Sequence, residues 1–156
     1  VVVTAGPTRE YLDDVRFLSN GSTGRMGIEL ARQAAMRGAR VVLVLGPTEV
    51  KPPAGVKTIH VLSTLEMLAA AARVSGPADV VYFAAAPADW RPARRSPGKP
   101  PKGKGTARLD LVPTVDVAAI LGKDKGRRVH VGFALESSEG ETRARAKLRA
   151  KRFDAV

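Results

Sequence analysis

The chain has 156 residues, enough for one domain with a sizeable core, and 44% of them are apolar. It has no cysteine, which excludes a disulfide, a thiolate nucleophile and a zinc–thiolate site, and two histidines, His60 and His130, are too few for a histidine-rich metal centre. The net charge of +11 is carried by two acid-free segments: Arg91, Arg94, Arg95, Lys99, Lys102, Lys104 and Arg108, then Arg143, Arg145, Lys147, Arg149, Lys151 and Arg152; without them the chain stands at −2.

Val1 to Ala5 is a short β-branched run stopped by Gly6-Pro7, the pattern of a buried strand and a turn. Residues 6 to 22 read as a long polar loop. Met26, Leu30 and Ala34, with Ala31 and Ala35, recur at helical spacing, and Gly38 is placed to end that helix. Arg40 to Leu45 is a second strand, broken by Gly46-Pro47, and Thr58 to Leu62 a third. Ser63 and Glu66 form a capping box for a helix to about Val74. Asp79 to Ala85 is the most apolar strand. Residues 91–105 hold four prolines, three glycines and six basic residues, which predicts a mobile loop over about 93–105. Ala107 to Val112 is a candidate strand. Thr114 is placed to cap a short helix ending at Gly122. Val129 to Ala134 is a further strand. Ser138 and Glu141 form a second capping box for a basic helix to about Lys151, and Phe153 to Val156 begins a last strand.

Alternating strands and helices predict a single α/β domain over 1–156, a Rossmann-like three-layer α/β/α fold with a mostly parallel sheet. Ligands of such sheets bind beyond the carboxyl ends of the strands, here the loops at 6–22, 46–57, 84–105 and 134–138. Concentrated positive charge attracts a polyanion: nucleotide, nucleic acid or acidic membrane. No apolar run approaches the ~20 residues of a membrane span, and no basic region precedes the first strand pattern. The expectation is a cytoplasmic protein, excised from something longer because the chain does not open on Met.

Four segments are candidates for chemistry. Ser19 to Gly27 combines glycines, hydroxyls and a helix start, which together suit phosphate oxygens, although capping and tight packing explain the same residues. Ala84 to Pro92 puts small residues at a strand end, where a flat base or ribose could lie, with Asp89 able to accept ribose hydroxyls or hold Mg²⁺ through water. In the basic loop a lysine could swing over a polyphosphate. Lys147 and Lys151 share a helix face, which by itself reads as solvated surface.

Together these segments resemble the phosphopantothenoylcysteine synthetase family over essentially the whole chain. The resemblance rests on Thr4-Ala5-Gly6-Pro7-Thr8-Arg9-Glu10, on Asp13-Asp14-Val15-Arg16-Phe17-Leu18-Ser19-Asn20 and on Gly21-Ser22-Thr23-Gly24-Arg25-Met26-Gly27. It continues in Ala85 through Pro92, Lys99 and Lys102, Gly132-Phe133-Ala134, and Lys147-Leu148 with Lys151. It implies a ligase of coenzyme A biosynthesis that joins phosphopantothenate to L-cysteine. CTP would be consumed with Mg²⁺ through an acyl-cytidylate, releasing pyrophosphate and CMP. It implies that Asn20 holds the intermediate, that Arg16 shapes the phosphopantothenate site, and that Lys99 and Lys102 lie on a loop closing over the triphosphate. Nucleotide would be held by Gly6, Ser22, Thr23, Gly24, Met26, Ala84, Ala85, Asp89, Val115, Asp116, Val117, Ala118, Phe133, Lys147 and Lys151. No protein-bound metal centre, nucleic acid or membrane is implied. A homodimer is, together with fusion to a flavin-dependent decarboxylase. The family's sequences continue past the position of Val156, so its C-terminal end is expected to be missing.

Two other readings compete. A pyridine-nucleotide reductase would want an acidic residue after the second strand, where Leu45 meets Gly46-Pro47, and a Tyr–Lys pair; neither Tyr11 nor Tyr82 has a lysine four residues on. A nucleic-acid-binding module would interleave aromatics with its basic residues, and 91–108 has none, with Trp90 at its border.

Overall fold

The structure is a computed structural model that describes residues 1–135 and 139–156. Its centre is β1 (Val2–Ala5), every residue of which is buried. β4 (Val42–Leu45) pairs with β1 in parallel on one side, Val3 opposite Leu43, and β6 (Val80–Phe83) on the other, Val3 opposite Tyr82. β5 (Lys57–His60) and β9 (Val129–Gly132) form the edges of a five-stranded sheet of order β5-β4-β1-β6-β9. Counted by appearance, these strands lie in the order 3-2-1-4-5, so the winding reverses between β1 and β6. The Rossmann-like α/β/α fold with a parallel sheet is what the strand–helix alternation predicts.

The period-2 alternation of strands sorts the core into two layers. Val3, Ala5, Leu43 and Leu45 point to the face covered by α1 (Arg25–Met36), which contributes Ile28 and Ala31. Val2, Val44, Val81 and Phe83 point to the other, covered by α2 (Thr64–Ser75) with Met67, Ala70 and Ala71, and by α3 (Val117–Lys123) with Ala118. α1 comes very close to β1 because Gly27 has no side chain there; a Cβ on it would collide with Ala5. That approach turns Ile28 and Ala31 inward and leaves Met26 50% exposed, so Met26 is not part of the helix's buried stripe as its spacing suggested. Gly38 does end the helix, at φ 85°, its N–H donating to Ala35 O. Ser63 caps α2, accepting from Glu66 N at 3.2 Å, and Glu66 reaches back to Leu62 N at 2.7 Å.

Several expectations need correction. The loop over 6–22 contains a small antiparallel hairpin, β2 (Glu10–Tyr11) with β3 (Phe17–Leu18). Asp13 makes its turn: the carboxylate accepts from Arg16 N and Val15 N at 2.8 Å each and from Arg16 Nε at 2.6 Å. The backbone hydrogen bond from Arg16 leads the causes that hold the Asp13 carboxyl down at about 2, against a desolvation that pushes it up. The strand expected at 107–112 is shorter and later, β8 (Leu111–Pro113), antiparallel to β7 (Trp90–Pro92). The α3 cap is Asp116, accepting from Ala119 N at 3.0 Å, and not Thr114, which lies two residues too early. Ser138 lies outside the described residues; the basic helix α4 spans Gly140–Ala150 behind Glu139. Beyond it Phe153 is buried, and Ala155 bridges Val131 in parallel, the beginning of a sixth strand.

His130, on β9, is 1% exposed, and neither ring nitrogen meets a hydrogen-bond partner among the described residues. Its ring stands edge-on to Phe83, with centroids 5.1 Å apart. Burial, and then the nearby charges of Arg128 and Lys125, lower its pKa, so the folded chain keeps it neutral where the unfolded chain takes up a proton. Its contribution is present above the unfolded value near ~6.5 and is lost as pH falls below it, by at most ~1.4 kcal/mol per pH unit. Urea denaturation from pH 7.5 to 5 should show this loss, and His130→Phe should flatten it; the Asp13 contribution fades only below ~4. Gly27→Ala should cost roughly 1–3 kcal/mol in the same assay, despite the ~1 kcal/mol of helix propensity that Ala gains over Gly.

Candidate functional site

Where the winding reverses, the loops after β1 and β6 part and leave a crevice beyond the carboxyl ends of the strands. Its floor is built backbone on backbone. Gly6 turns the chain out of β1 at φ 78°, and a Cβ on it would meet Gly46 O at 3.1 Å. Gly24, at φ 72°, lies at the N-terminus of α1, where a Cβ would come within 3.2 Å of Gly6 Cα. No side chain caps this helix and its first turn holds no acid. The dipole of α1 therefore opens toward the crevice without a protein counter-charge. Ser22 Oγ accepts from Gly24 N at 3.3 Å, Thr23 Oγ1 from Arg25 N at 3.5 Å, and Thr48 Oγ1 donates to Thr23 O at 2.7 Å.

One wall is the strip 84–89 leaving β6. Ala84 N donates to Thr4 O at 3.1 Å and Ala86 N to Gly6 O at 2.9 Å, prolonging the sheet pairing by two residues. Asn20 Nδ2 donates to Pro87 O at 2.9 Å and Ala86 O at 3.4 Å, clamping the strip to the glycine-rich segment. Thr114 N donates to Asp89 O at 2.9 Å, and its hydroxyl donates to Ala88 O. The opposite wall is cationic. Lys147 Nζ donates to Phe133 O at 3.1 Å, and Lys151 Nζ lies 2.9 Å from Asp116 Oδ2. Phe153 packs where Gly132 leaves the room of a side chain, and supports this wall from below.

The result is an open cleft of about 1050 Å³. It is lined by Asn20, Ser22, Thr23, Met26, Ala84, Ala85, Asp89, Val115, Asp116, Val117, Ala118, Phe133, Lys147 and Lys151, residues spread over the chain that the sequence singled out. Gly6 and Gly24 are buried one layer behind its surface. Arg16 is on the β2–β3 hairpin, and Lys99 and Lys102 are exposed on the basic loop; none of these three lines the cleft. Sequence reasoning missed Phe83, Thr114, Leu135 and Phe153 as lining residues. Phe153 could have been found, because a lone aromatic after a polar helix has only the core to enter.

The basic loop does have partners. Asp14 accepts from Arg95 Nη2 at 2.9 Å and from Gly98 N at 3.0 Å, and Ser96 N donates to Leu12 O at 2.8 Å. Arg95 also lies over the Tyr11 ring at 5.3 Å. Residues 95–98 are thus tied to the β2–β3 hairpin, by an acid that the charge count assigned to the remainder of the chain.

Residues 1–156 match the family model described as the DNA/pantothenate metabolism flavoprotein C-terminal domain. The chain is 44% identical over 158 residues to a cysteine/cysteine sulfinic acid decarboxylase of an unknown prokaryotic organism, covering 100% of this chain and 44% of that protein. It is 43% identical over 157 residues to the coenzyme A biosynthesis bifunctional protein CoaBC of Bacillus subtilis (strain 168), covering 100% of this chain and 39% of that one. The crystal structure of the C-terminal domain of coenzyme A biosynthesis bifunctional protein CoaBC superposes with a TM-score of 0.88 at 40% identity, over 99% of this chain and 74% of that chain. The chain spans about two-fifths of the length of these curated relatives.

These findings correct the identification drawn from the motifs. The matching family is described by a flavoprotein, one relative by decarboxylation, and the others by coenzyme A biosynthesis; none of these descriptions names a synthetase, a ligase, CTP or magnesium. The ligase activity with its acyl-cytidylate, the CTP and the Mg²⁺ are therefore not assigned to this chain, and the chemistry named among its relatives is decarboxylation. With a match over its full length and a solved relative at 40% identity, the chain belongs to the DNA/pantothenate metabolism flavoprotein C-terminal domain family.

Proposed function

We propose that this chain is the mononucleotide-binding part of a longer, cytoplasmic enzyme of coenzyme A biosynthesis. The observation that carries the reading is the cleft at the reversal of the sheet. A helix N-terminus without a counter-charge, a strip of small residues at the end of β6 and two lysines, Lys147 of α4 and Lys151 just past its end, surround one space. Phosphate suits the first and third, and a flat ring on a ribose suits the second. Asp89 accepts ribose hydroxyls. A phosphorylated, pantothenate-derived substrate, carrying or meeting a cysteine-derived group, lies beside Asn20 and Arg16. Lys99 and Lys102 close over the phosphates; Arg16 Nη2, 3.5 Å from Pro100 O, already joins the hairpin to that loop. Among the described residues no helix is long and apolar enough to cross a membrane.

The flavin of the family's description is a poor fit to the chemistry this cleft offers. Flavin-dependent decarboxylation needs a group to move protons at the reacting centre. No histidine or cysteine is among the residues lining the cleft. His130 is in the core, and His60 is on the edge strand β5. Of the acids lining the cleft among the described residues, Asp116 is engaged by Lys151 and the α3 N-terminus, which leaves Asp89. The flavin belongs, on this reading, to another part of the longer protein. Homodimerisation is part of the same proposal, through the two antiparallel arms, where Val15, Trp90 and Leu111 are exposed.

Equilibrium titration of the chain with CMP, UMP, AMP, flavin mononucleotide and a random oligonucleotide at physiological salt tests the reading. At least one free mononucleotide should bind in preference to the oligonucleotide. Lys147→Ala should weaken that binding about tenfold, the ~1.4 kcal/mol expected when one charge-assisted hydrogen bond is lost. Preference for the oligonucleotide would replace this reading with nucleic-acid binding, and flavin mononucleotide as the tightest ligand would overturn the placement of the flavin. Trypsin cleavage between Lys99 and Arg108 should slow when the preferred mononucleotide is present with phosphopantothenate. Equal cleavage with and without them would remove the loop from the site.

A further inference from the structure

Behind the 84–89 strip runs a buried file of hydrogen bonds that ends at Glu10, outside the cleft lining. Ala88 N donates to Thr8 Oγ1 at 2.9 Å. Thr8 Oγ1 lies 2.9 Å from Thr64 Oγ1. Thr64 Oγ1 donates to Glu10 Oε1 at 2.8 Å, and Thr64 N donates to the same oxygen at 2.8 Å. Thr8 and Thr64 are 0% and 1% exposed and Glu10 is 7% exposed, so no bulk water can replace a lost member.

The donors have one consistent order. The single proton of Thr64 Oγ1 goes to Glu10, so the Thr8 hydroxyl must donate to Thr64, and its remaining lone pair accepts from Ala88. The direction is set at the Glu10 carboxylate and transmitted to one backbone N–H in the cleft wall. Ser19 Oγ, donating to Thr8 O at 2.7 Å, holds the middle member in place.

We propose that Thr8, Thr64 and Glu10 are positioning residues, which hold the cleft wall at Ala88 and Asp89 and thereby set the affinity of the site for its mononucleotide. None of the three needs to touch the ligand. The file anchors the wall to α2 and to the β2–β3 hairpin, so the wall does not depend on the ligand for its shape. The claim about affinity rests on the mononucleotide reading above; the claim about the wall does not.

Thr8→Val keeps the volume and removes the hydroxyl, leaving Ala88 N–H without its acceptor and Thr64 Oγ1 with Glu10 as its one remaining side-chain partner. The experiment compares wild type, Thr8→Val, Thr8→Ser and, as a core variant of comparable cost away from the cleft, Val41→Ala. Three quantities are read: Tm, amide hydrogen exchange at Ala88 and Asp89, and Kd for CMP and flavin mononucleotide. Thr8→Val should speed exchange at Ala88 at least tenfold more than Val41→Ala does at equal loss of Tm, and raise Kd by about tenfold. Thr8→Ser should restore both. Glu10→Gln, which retains an Oε1 acceptor, should resemble wild type, whereas Glu10→Ala, which leaves Thr8 Oγ1 to accept from Ala88, should fall between wild type and Thr8→Val. If Thr8→Val lowers Tm but leaves exchange and Kd as in Val41→Ala, the residues are only structural and the proposal fails. If wild type binds neither mononucleotide, the functional reading loses these ligands, and exchange at Ala88 still decides whether the file holds the wall.

Discussion

Three turns, at Gly6, Gly24 and Gly46, are pressed together at the carboxyl end of β1 with no room for a side chain between them. This contact brings the end of β1, the start of α1 and the end of β4 within backbone distance of one another. A Cβ at Gly46 would collide with Pro7 O, and Gly6 and Gly24 both need a left-handed backbone. The crevice exists because the chain can turn this tightly before β6 sends its own strip over the top. Asn20 then fastens the strip to the same turns through the carbonyls of Ala86 and Pro87.

The electrostatics of the cleft follow from where charges are neutralised and where they are not. On the hairpin, Asp13 meets its own Arg16 and Asp14 meets Arg95, so one charge of the basic loop is balanced there. On α4, Arg145 pairs with Glu141 on the outer surface. Lys147 faces inward and is held by a carbonyl, Phe133 O, which orients its ammonium without cancelling its charge. Lys151 is different, because Asp116 balances it. A phosphate in this cleft would therefore meet Lys147 and the α1 N-terminus as its least compensated positive groups.

The strands of the sheet were legible because each is a short run rich in β-branched residues, and the central strands β1 and β4 are buried because parallel neighbours leave them little exposed surface. The α2 start was legible because Ser63 and Glu66 have the spacing their mutual hydrogen bonds require. The two small hairpins were not. β2 and β3 have two residues each, and their turn is set by the Asp13 carboxylate, a contact that composition does not reveal among other polar residues. Thr114 has a cap residue's chemistry, but tertiary structure uses its hydroxyl for Ala88 O. At the site, the residues marked by glycine-rich or small-residue runs came together in one cleft. Arg16, Lys99 and Lys102 stayed outside it, because charge density places a residue on a surface but not on a particular wall. The motifs carried the family region and the coenzyme A context of its relatives; the step from there to one reaction went beyond what the descriptions of those relatives support.

The central position of β1 has a consequence for how the chain acquires its shape. Val2 pairs with Val42 on one side and with Val81 on the other, so β1, made before both partners, is fully paired only after β6 has been made. At ~5–20 residues per second on a ribosome, one edge of a strand that ends fully buried stays open for several seconds. During that interval α1 is its natural cover, since Gly27 lets the helix lie directly on Ala5. The close packing of helix and strand thus covers one apolar face of the nascent strand before it serves the finished fold.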